Sequence, residues 1–306
     1  MIKRLDPVVF FGSGPLAAKS LELLSKDMVV EAVITKAPAS HHKGIVPVAE
    51  VCKKLELPVY YANSKAELDK LFSSNTFHSR IGILIDFGII VSRLVIDYFD
   101  KGIVNSHFSI LPEWRGADPI TFALISGQKT TGVSLMLLVE AMDEGPLLDY
   151  GIVEIKPDST GPSLSQELIT LSHSLLVKDI PLYQSGEITP KTQSITGRDI
   201  SYSRKLSKED GIIDWTESAE LIEHKIRAFI EWPKSRTSFN GVNVTITRAH
   251  VIKGSTQTAG LITVDNHQLI VDCSKDRLSI DRLKPDNKPE MDIKAFLAGY
   301  KAKLQD

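Results

Sequence analysis

Short β-branched and aromatic runs alternate with amphipathic stretches through the first half of the chain, and no other feature narrows its possible folds as far. The runs "PVVFF", "MVVEAVIT", "RIGILID" and "GIVNSHF" have strand composition, while "AEVCKKLEL" and "LDKLF" between them have helical spacing. Strands joined by helices lie parallel and need those helices to cover their faces. The pattern therefore predicts an α/β domain with a Rossmann-like, mostly parallel sheet. Runs at "TGVSLMLLV" and "YGIVEIK" extend that sheet to about six strands. A long helix follows at "SLSQELITLSHSLLVKDI", with Leu164, Leu168, Leu171 and Leu175 on one stripe.

The first strand enters a glycine turn. In "VVFFGSGPLAAKSLELL", Gly12-Ser13-Gly14-Pro15-Leu16-Ala17 fits the dinucleotide fingerprint G-x-G-x-x-A, and Pro15 suits a first helical position. A dinucleotide site also needs an acidic residue at the end of the second strand. Glu31 lies about the right distance from Gly12, but Ala32-Val33-Ile34-Thr35 continue the strand past it and Thr35-Lys36 occupies its end. The turn is thus expected to form one wall of a pocket, with its backbone N–H groups facing inward. An NAD(P)-binding oxidoreductase is the competing reading.

From Gly186 to Ser207 the texture turns polar and rich in Pro, Gly, Ser and Thr, which reads as a linker. A first domain over residues 1–187, a linker over 188–204 and a second domain over 205–306 follow. The second domain carries one helix, "SAELIEHKIRAF", and then short β segments. Asn240-Gly241 between "RTSF" and "VNVTITRA" predicts a hairpin, followed by "GLITV", "QLIVD" and "RLSIDRL". A small closed or partly open OB-like β-barrel fits this spacing. Trp215 and Trp232 flank the helix and are expected as anchors of the barrel core.

With 42% apolar and 24% charged residues, the chain has the balance of a globular protein. No run approaches the roughly 20 apolar residues of a membrane-crossing helix, and the N-terminus enters a strand without a cleavage site. A cytoplasmic monomer with no membrane partner is expected. Cys52 and Cys273 lie in unlike segments and suggest neither a disulfide nor a metal site. The net charge of −2 announces no polyanion partner, although residues 204–306 carry 17 Lys and Arg against 15 Asp and Glu, while the rest carries 19 against 23.

The most informative stretch is "NSHFSILPEWRGADPI", at the end of a strand, where open α/β sheets bind ligands. Asn105 and His107 are two residues apart and share one face of an extended segment. Asp143 in "EAMDEGPLLD" ends a later element. An amide, an imidazole and a carboxylate on one pocket suit acyl transfer to an amine that is its own nucleophile. Asn N–H and a protonated His stabilise the carbonyl oxygen as it becomes negative, and Asp143 orients the ring and helps remove the amine's proton. On spacing alone the same residues also fit a strand-end turn with a structural histidine.

The stretch resembles the folate-dependent formyltransferases, whose pattern is N-x-H-x-S-L-L-P, then R-G, then D-x-G-P. The resemblance implies Asn105, His107 and Asp143 as catalytic residues and 10-formyltetrahydrofolate as co-substrate, with no metal. It places Ser109, Ile110, Leu111 and Pro112 along the folate site, with Ile110 replacing the first Leu of the pattern. It also places Asp86, Phe87, Gly88, Ile89 and Ile90 in the loop beside the pterin, where backbone groups supply hydrogen bonds. Glycinamide ribonucleotide and amino-sugar formyltransferases share this catalytic domain, so a small amine such as an amino sugar is a nearer alternative acceptor. The second half separates them. "KLSKEDGIIDWTESAELIEHKIRAFIEWP" and "LKPDNKPEMDIKAFLAGY" resemble the opening of the C-terminal domain, and its closing strand and tail, in family members that formylate methionyl-tRNA. An OB-like domain holding initiator methionyl-tRNA through basic residues is implied. The family's basic insertion after the second strand corresponds to "TKAPASHHKGIVPVAE", which offers Lys36, His41, His42 and Lys43 with no Arg. Gly12, Ser13, Gly14, Lys36 and Lys43 are expected on the acceptor side. Adjacent His41 and His42 lack a neighbouring carboxylate or thiol and read as loop, not as metal ligands.

Overall fold

The computed structural model describes residues 6–38 and 46–305. Two compact units divide them. The first takes the residues up to 119 with 130–153 and 165–203, and the second takes 120–129, 154–164 and those from 204 on. The expected contiguous boundaries are cut across because two outlying segments pack with the second unit. His224 Nδ1 lies 3.2 Å from the Ile125 carbonyl oxygen, and Arg227 Nη1 donates to the Ser159 carbonyl at 2.6 Å.

The chain runs β1 (Val8–Phe11), α1 (Pro15–Asp27), β2 (Val30–Thr35), α2 (Pro47–Leu55), β3 (Val59–Tyr61), α3 (Lys65–Ser74), β4 (Gly82–Leu84), α4 (Arg93–Asp97) and β5 (Ile103–His107). Next come β6 (Arg115–Gly116), α5 (Pro119–Ile125), β7 (Thr130–Leu137), β8 (Leu147–Glu154), α6 (Gly161–Ser185) and β9 (Tyr202–Ser203). The first unit is a Rossmann-like, seven-stranded sheet in the order β3-β2-β1-β4-β5-β7-β8. β1 pairs in parallel with both β2 and β4, β4 pairs in parallel with β5, and β7 runs antiparallel to β5. β1 is buried on both faces, which is why its sequence is a continuous apolar run. β3 was not expected: three residues at a sheet edge with partly exposed faces carry no strand signal.

Phe11 ties the sheet to the loop after β4, its ring 5.6 Å from Phe87 and 5.8 Å from Phe72. α6 carries the expected leucine stripe, and Leu171 packs where Gly151 of β8 leaves no room for a Cβ. Of the residues 188–204 expected as a linker, those up to 203 pack with the first unit. Lys191 and Leu147 exchange backbone hydrogen bonds at 2.7 and 2.8 Å, Gln193–Thr196 form a 3-10 turn, and β9 pairs with β6. Gln193, Thr196 and Ser201 turn their polar side chains inward to other parts of the protein.

The second unit contains α7 (Ala219–Ala228), β10 (Ser235–Phe239), β11 (Val242–Ile252), β12 (Ile262–Asp265), β13 (Gln268–Asp272), β14 (Arg277–Pro285), β15 (Met291–Asp292) and α8 (Ile293–Gln305). Its OB-like antiparallel sheet follows the path β10-β11-β14-β13-β12, with β15 beside β14. Asn240 and Gly241 take φ of 43° and 79°, both left-handed, as a tight two-residue hairpin loop requires. Ile222, Ile226, Phe239, Ile246, Leu278 and Phe296 meet in the core. Trp215 is the anchor expected, its ring 6.2 Å from Phe239 and its Nε1 donating to Thr237 Oγ1 at 3.2 Å. Trp232 is not: it is 56% exposed, because Pro233 takes the inward position against Gly211. α8 replaces the expected closing tail, burying Phe296, Leu297 and Leu304. Among the described residues no helix is long and apolar enough to cross a membrane.

Candidate active site

β5 ends at the carboxyl edge of the sheet, and its alternation sends Asn105 and His107 to one face while Ser106 turns to the other, 2.7 Å from Ser172 of α6. Asp143 comes from the β7–β8 turn. Gly145 is required in that turn, since a Cβ there would fall 1.7 Å from the Leu137 carbonyl oxygen. Asp143 itself takes a left-handed φ of 52°.

The three side chains expected to converge do so. Asn105 Nδ2 donates to Asp143 Oδ1 at 3.3 Å, and Asp143 Oδ2 lies 3.7 Å from His107 Nδ1. His107 Nε2 donates to the Trp114 carbonyl at 2.9 Å. Each ring nitrogen of His107 thus faces an oxygen, the arrangement that a doubly protonated imidazole completes. Exposures of 7% for His107 and 12% for Asp143 leave this contact weakly screened by solvent.

Four further residues complete the arrangement. The Gly116 N–H donates to Asp143 Oδ2 at 2.8 Å. Trp114, at a φ of 57°, presents its carbonyl to His107 while its N–H donates to Ser201 Oγ. Gln193 donates to the carbonyls of Asp143 and Gly145 and accepts from Arg115. In the sequence Arg115-Gly116 stands out only as the R-G of the family pattern. Gln193 lay in the presumed linker, where nothing in a single sequence singles it out.

The segments expected to bind folate divide in two. Ser109, Ile110, Leu111 and Pro112 are buried. Ser134 Oγ donates to the Ser109 carbonyl and accepts from the Leu111 N–H, so this segment lends shape more than free polar groups. The loop Asp86–Ile90 is more open. Phe87 is buried as its anchor, while Ile90 is 76% exposed, and Lys36 Nζ donates to the Gly88 carbonyl at 2.8 Å. Lys36 therefore serves this loop. Lys43, His41 and His42 lie outside the described residues.

The glycine turn differs from expectation. The N–H groups of Ser13 and Gly14 donate to the Asp86 carbonyl at 2.9 and 3.3 Å. The Asp86 carboxylate accepts from the N–H groups of Leu16 and Ala17 at the start of α1. A Cβ on Gly14 would lie 1.7 Å from Asp86 Oδ2. The inward N–H groups expected to face a ligand are thus taken by the protein's own aspartate, at the position where a dinucleotide fold receives a phosphate. Protein on most sides of this solvent-reached carboxyl, with Asp118 adding repulsion, pushes its pKa up to about 6 against the pull of Lys36. Glu31 is also spent, accepting from the N–H groups of His78 and Ser79 at 2.7 Å each. Among the described residues, no group of three or more His, Cys, Asp or Glu is placed to hold a metal.

Residues 8–180 match the family model described as "Formyl transferase", and residues 205–301 match "Formyl transferase, C-terminal domain". A methionyl-tRNA formyltransferase of Pseudoalteromonas translucida is 33% identical over 301 residues, covering 95% of this chain and 93% of the relative. One from Clostridium perfringens is 31% identical over 304 residues, covering 97% and 98%. Among solved structures, the N-formyltransferase of Helicobacter canadensis with folinic acid and dTDP-3-aminofucose shares the fold at a TM-score of 0.66, with 18% identity, over 90% of this chain and 99% of that one. HypX of Aquifex aeolicus with tetrahydrofolic acid does so at 0.62, with 13% identity; this chain matches over 97% of its length and spans 48% of HypX.

Proposed function

This chain belongs to the methionyl-tRNA formyltransferase family, and we infer from that premise and from the Asn105, His107 and Asp143 cluster how its site works. It transfers a formyl group from 10-formyltetrahydrofolate to the α-amino group of initiator methionyl-tRNA. The amine attacks the formyl carbon, the bond from that carbon to the folate nitrogen breaks, the amine gives up a proton, and the departing folate nitrogen takes one up to leave as tetrahydrofolate.

The convergence of Asn105 and His107 on one half-buried carboxylate carries this reading. Asn105 uses one N–H of its amide to position the formyl oxygen and to stabilise it as it gains negative charge. His107, held between Asp143 and the Trp114 carbonyl, brings positive charge to the same oxygen. Asp143 fixes the ring and takes up the proton the amine loses. Because the amine is itself the nucleophile, no acyl-enzyme is needed. Bound 10-formyltetrahydrofolate supplies the formyl group. Asp86–Ile90 suit its pterin, since the loop leaves the sheet ladder after Ile85 and exposes the apolar side chain of Ile90.

The oxidoreductase reading conflicts with Asp86, whose negative charge sits where a pyrophosphate would bind. The full-length likeness to methionyl-tRNA formyltransferases favours tRNA over a small amine as acceptor. We assign residues 205–306 to tRNA binding, with Gly12–Gly14 walling the acceptor side by shape, and the enzyme to a cytoplasmic, monomeric state. The test is formylation of charged initiator tRNA by purified protein. Asn105→Ala and His107→Ala should each lower turnover about 100- to 1000-fold. Turnover within a few fold of wild type in either variant overturns these roles.

A further inference from the structure

We propose that Gln193 is a positioning residue for the reaction, holding Asp143 in its catalytic conformation from a segment that looks like a linker in sequence. The inference rests on the role assigned to Asp143 above. Asp143 is left-handed at a φ of 52°, a backbone state uncommon for residues with a Cβ though less so for Asp. Gln193 holds the turn in that state. Its Nε2 donates to the carbonyls of Asp143 at 2.7 Å and of Gly145 at 3.0 Å, bracketing the turn. Its Oε1 accepts from Arg115 Nη2 at 2.7 Å, and Arg115 Nη1 lies 3.0 Å from Glu144 Oε1. Arg115 immediately precedes Gly116, whose N–H donates to the Asp143 carboxylate. The backbone and the side chain of Asp143 are thus fixed through neighbouring residues, with Gln193 joining them.

The segment that carries Gln193 is itself fixed at both ends. Lys191 and Leu147 exchange backbone hydrogen bonds ahead of it. Beyond it, the Ser201 carbonyl accepts from the Arg115 N–H and Ser201 Oγ accepts from the Trp114 N–H. Trp114 supplies the carbonyl that orients His107, so residues 191–203 reach both sides of the catalytic cluster. Gln193 is 7% exposed, and both polar atoms of its amide are committed to these contacts. A glutamate in its place keeps shape and the Arg115 contact but sets a carboxylate oxygen against two carbonyl oxygens.

The experiment uses full-length protein carrying Gln193→Glu, with Gln193→Met as an uncharged variant of similar length that guards against failure to fold. Steady-state kinetics with 10-formyltetrahydrofolate and charged initiator tRNA should show kcat lowered about 10- to 100-fold and KM for the folate within about 2-fold of wild type, as a misplaced catalytic group predicts. Melting temperature, read in parallel, should not track the loss. Repeating Gln193→Glu in an Asp143→Ala background should then lower the rate less than about 3-fold, because the group being positioned is gone. Additive losses in that cycle, or an unchanged kcat in both single variants, overturn the proposal. If Asp143→Ala alone leaves turnover intact, the role of Asp143 fails first and the proposal with it.

Discussion

Replacing Asp143 with asparagine removes a charge and one acceptor while keeping shape, so its effect follows from the distances around it. The carboxylate lies 3.7 Å from His107 Nδ1. At that separation a charge pair is worth about 1 kcal/mol in water and about 4 kcal/mol at an effective dielectric of about 20. The burial of both side chains favours the upper part of that range. Asparagine also has a single side-chain acceptor where Asp143 offers two, one to Asn105 Nδ2 and one to the Gly116 N–H. Whichever way the amide turns, one N–H meets another, at a penalty of about 1–3 kcal/mol that also disturbs the placement of Asn105. If about 2–4 kcal/mol of this reaches the barrier, Asp143→Asn lowers kcat about 30- to 1000-fold. The assay is single-turnover formylation of charged initiator tRNA at saturating 10-formyltetrahydrofolate, with circular dichroism to establish that the variant folds. A folded variant with kcat within about 3-fold of wild type refutes the charge-pair argument.

Asp179 on α6 is buried, and desolvation followed by repulsion from Asp149 raises its carboxyl from 3.8 to about 6, against the attraction of Lys178. A raised folded-state value means the folded protein holds the proton more tightly, so stability rises as pH falls through 6 toward 4, by at most about 3 kcal/mol. Asp149 is shifted the other way, and its contribution is lost only below about pH 4. Urea midpoints should rise between pH 7.5 and pH 5 by more in wild type than in Asp179→Asn, where the raised carboxyl of Asp86 carries the remaining rise; the same slope in both contradicts the assignment. Trp232→Ala should change unfolding free energy by less than about 1 kcal/mol, whereas Phe229→Ala, 2% exposed, should lose about 3–5 kcal/mol. Equal losses on urea denaturation return Trp232 to the core. Gly14→Ala must push the Asp86 carboxylate off the start of α1, and KM for 10-formyltetrahydrofolate should rise several-fold, recovering when Asp86→Ala is added; no recovery breaks the link between the turn and the loop.

Period and burial made much of this fold legible. Strands such as β1, apolar on both faces, and the two-residue spacing of Asn105 and His107 announce their own geometry, because a strand's alternation is fixed by its backbone. Asp143 stood out by its place at the end of an element, but only the resemblance tied it to His107, since nothing local links a turn aspartate to a histidine in another strand. The linker and the glycine turn were misread for one physical reason. Reading polarity as exposure turned residues 188–204 into a linker, although Gln193, Thr196 and Ser201 bond inward to loops distant in sequence. The same reading left the glycine turn open to a ligand, although Asp86 closes it. α8 was passed over for a different reason: Phe296, Leu297, Tyr300 and Leu304 do recur at helical spacing, but they follow turn-rich strands where a β continuation was expected. An inward-facing polar side chain leaves no periodic trace, because its partner is set by tertiary contact and not by its neighbours in the chain. In this enzyme such side chains surround the catalytic carboxylate, so the least legible part of the sequence is also the part that positions Asp143.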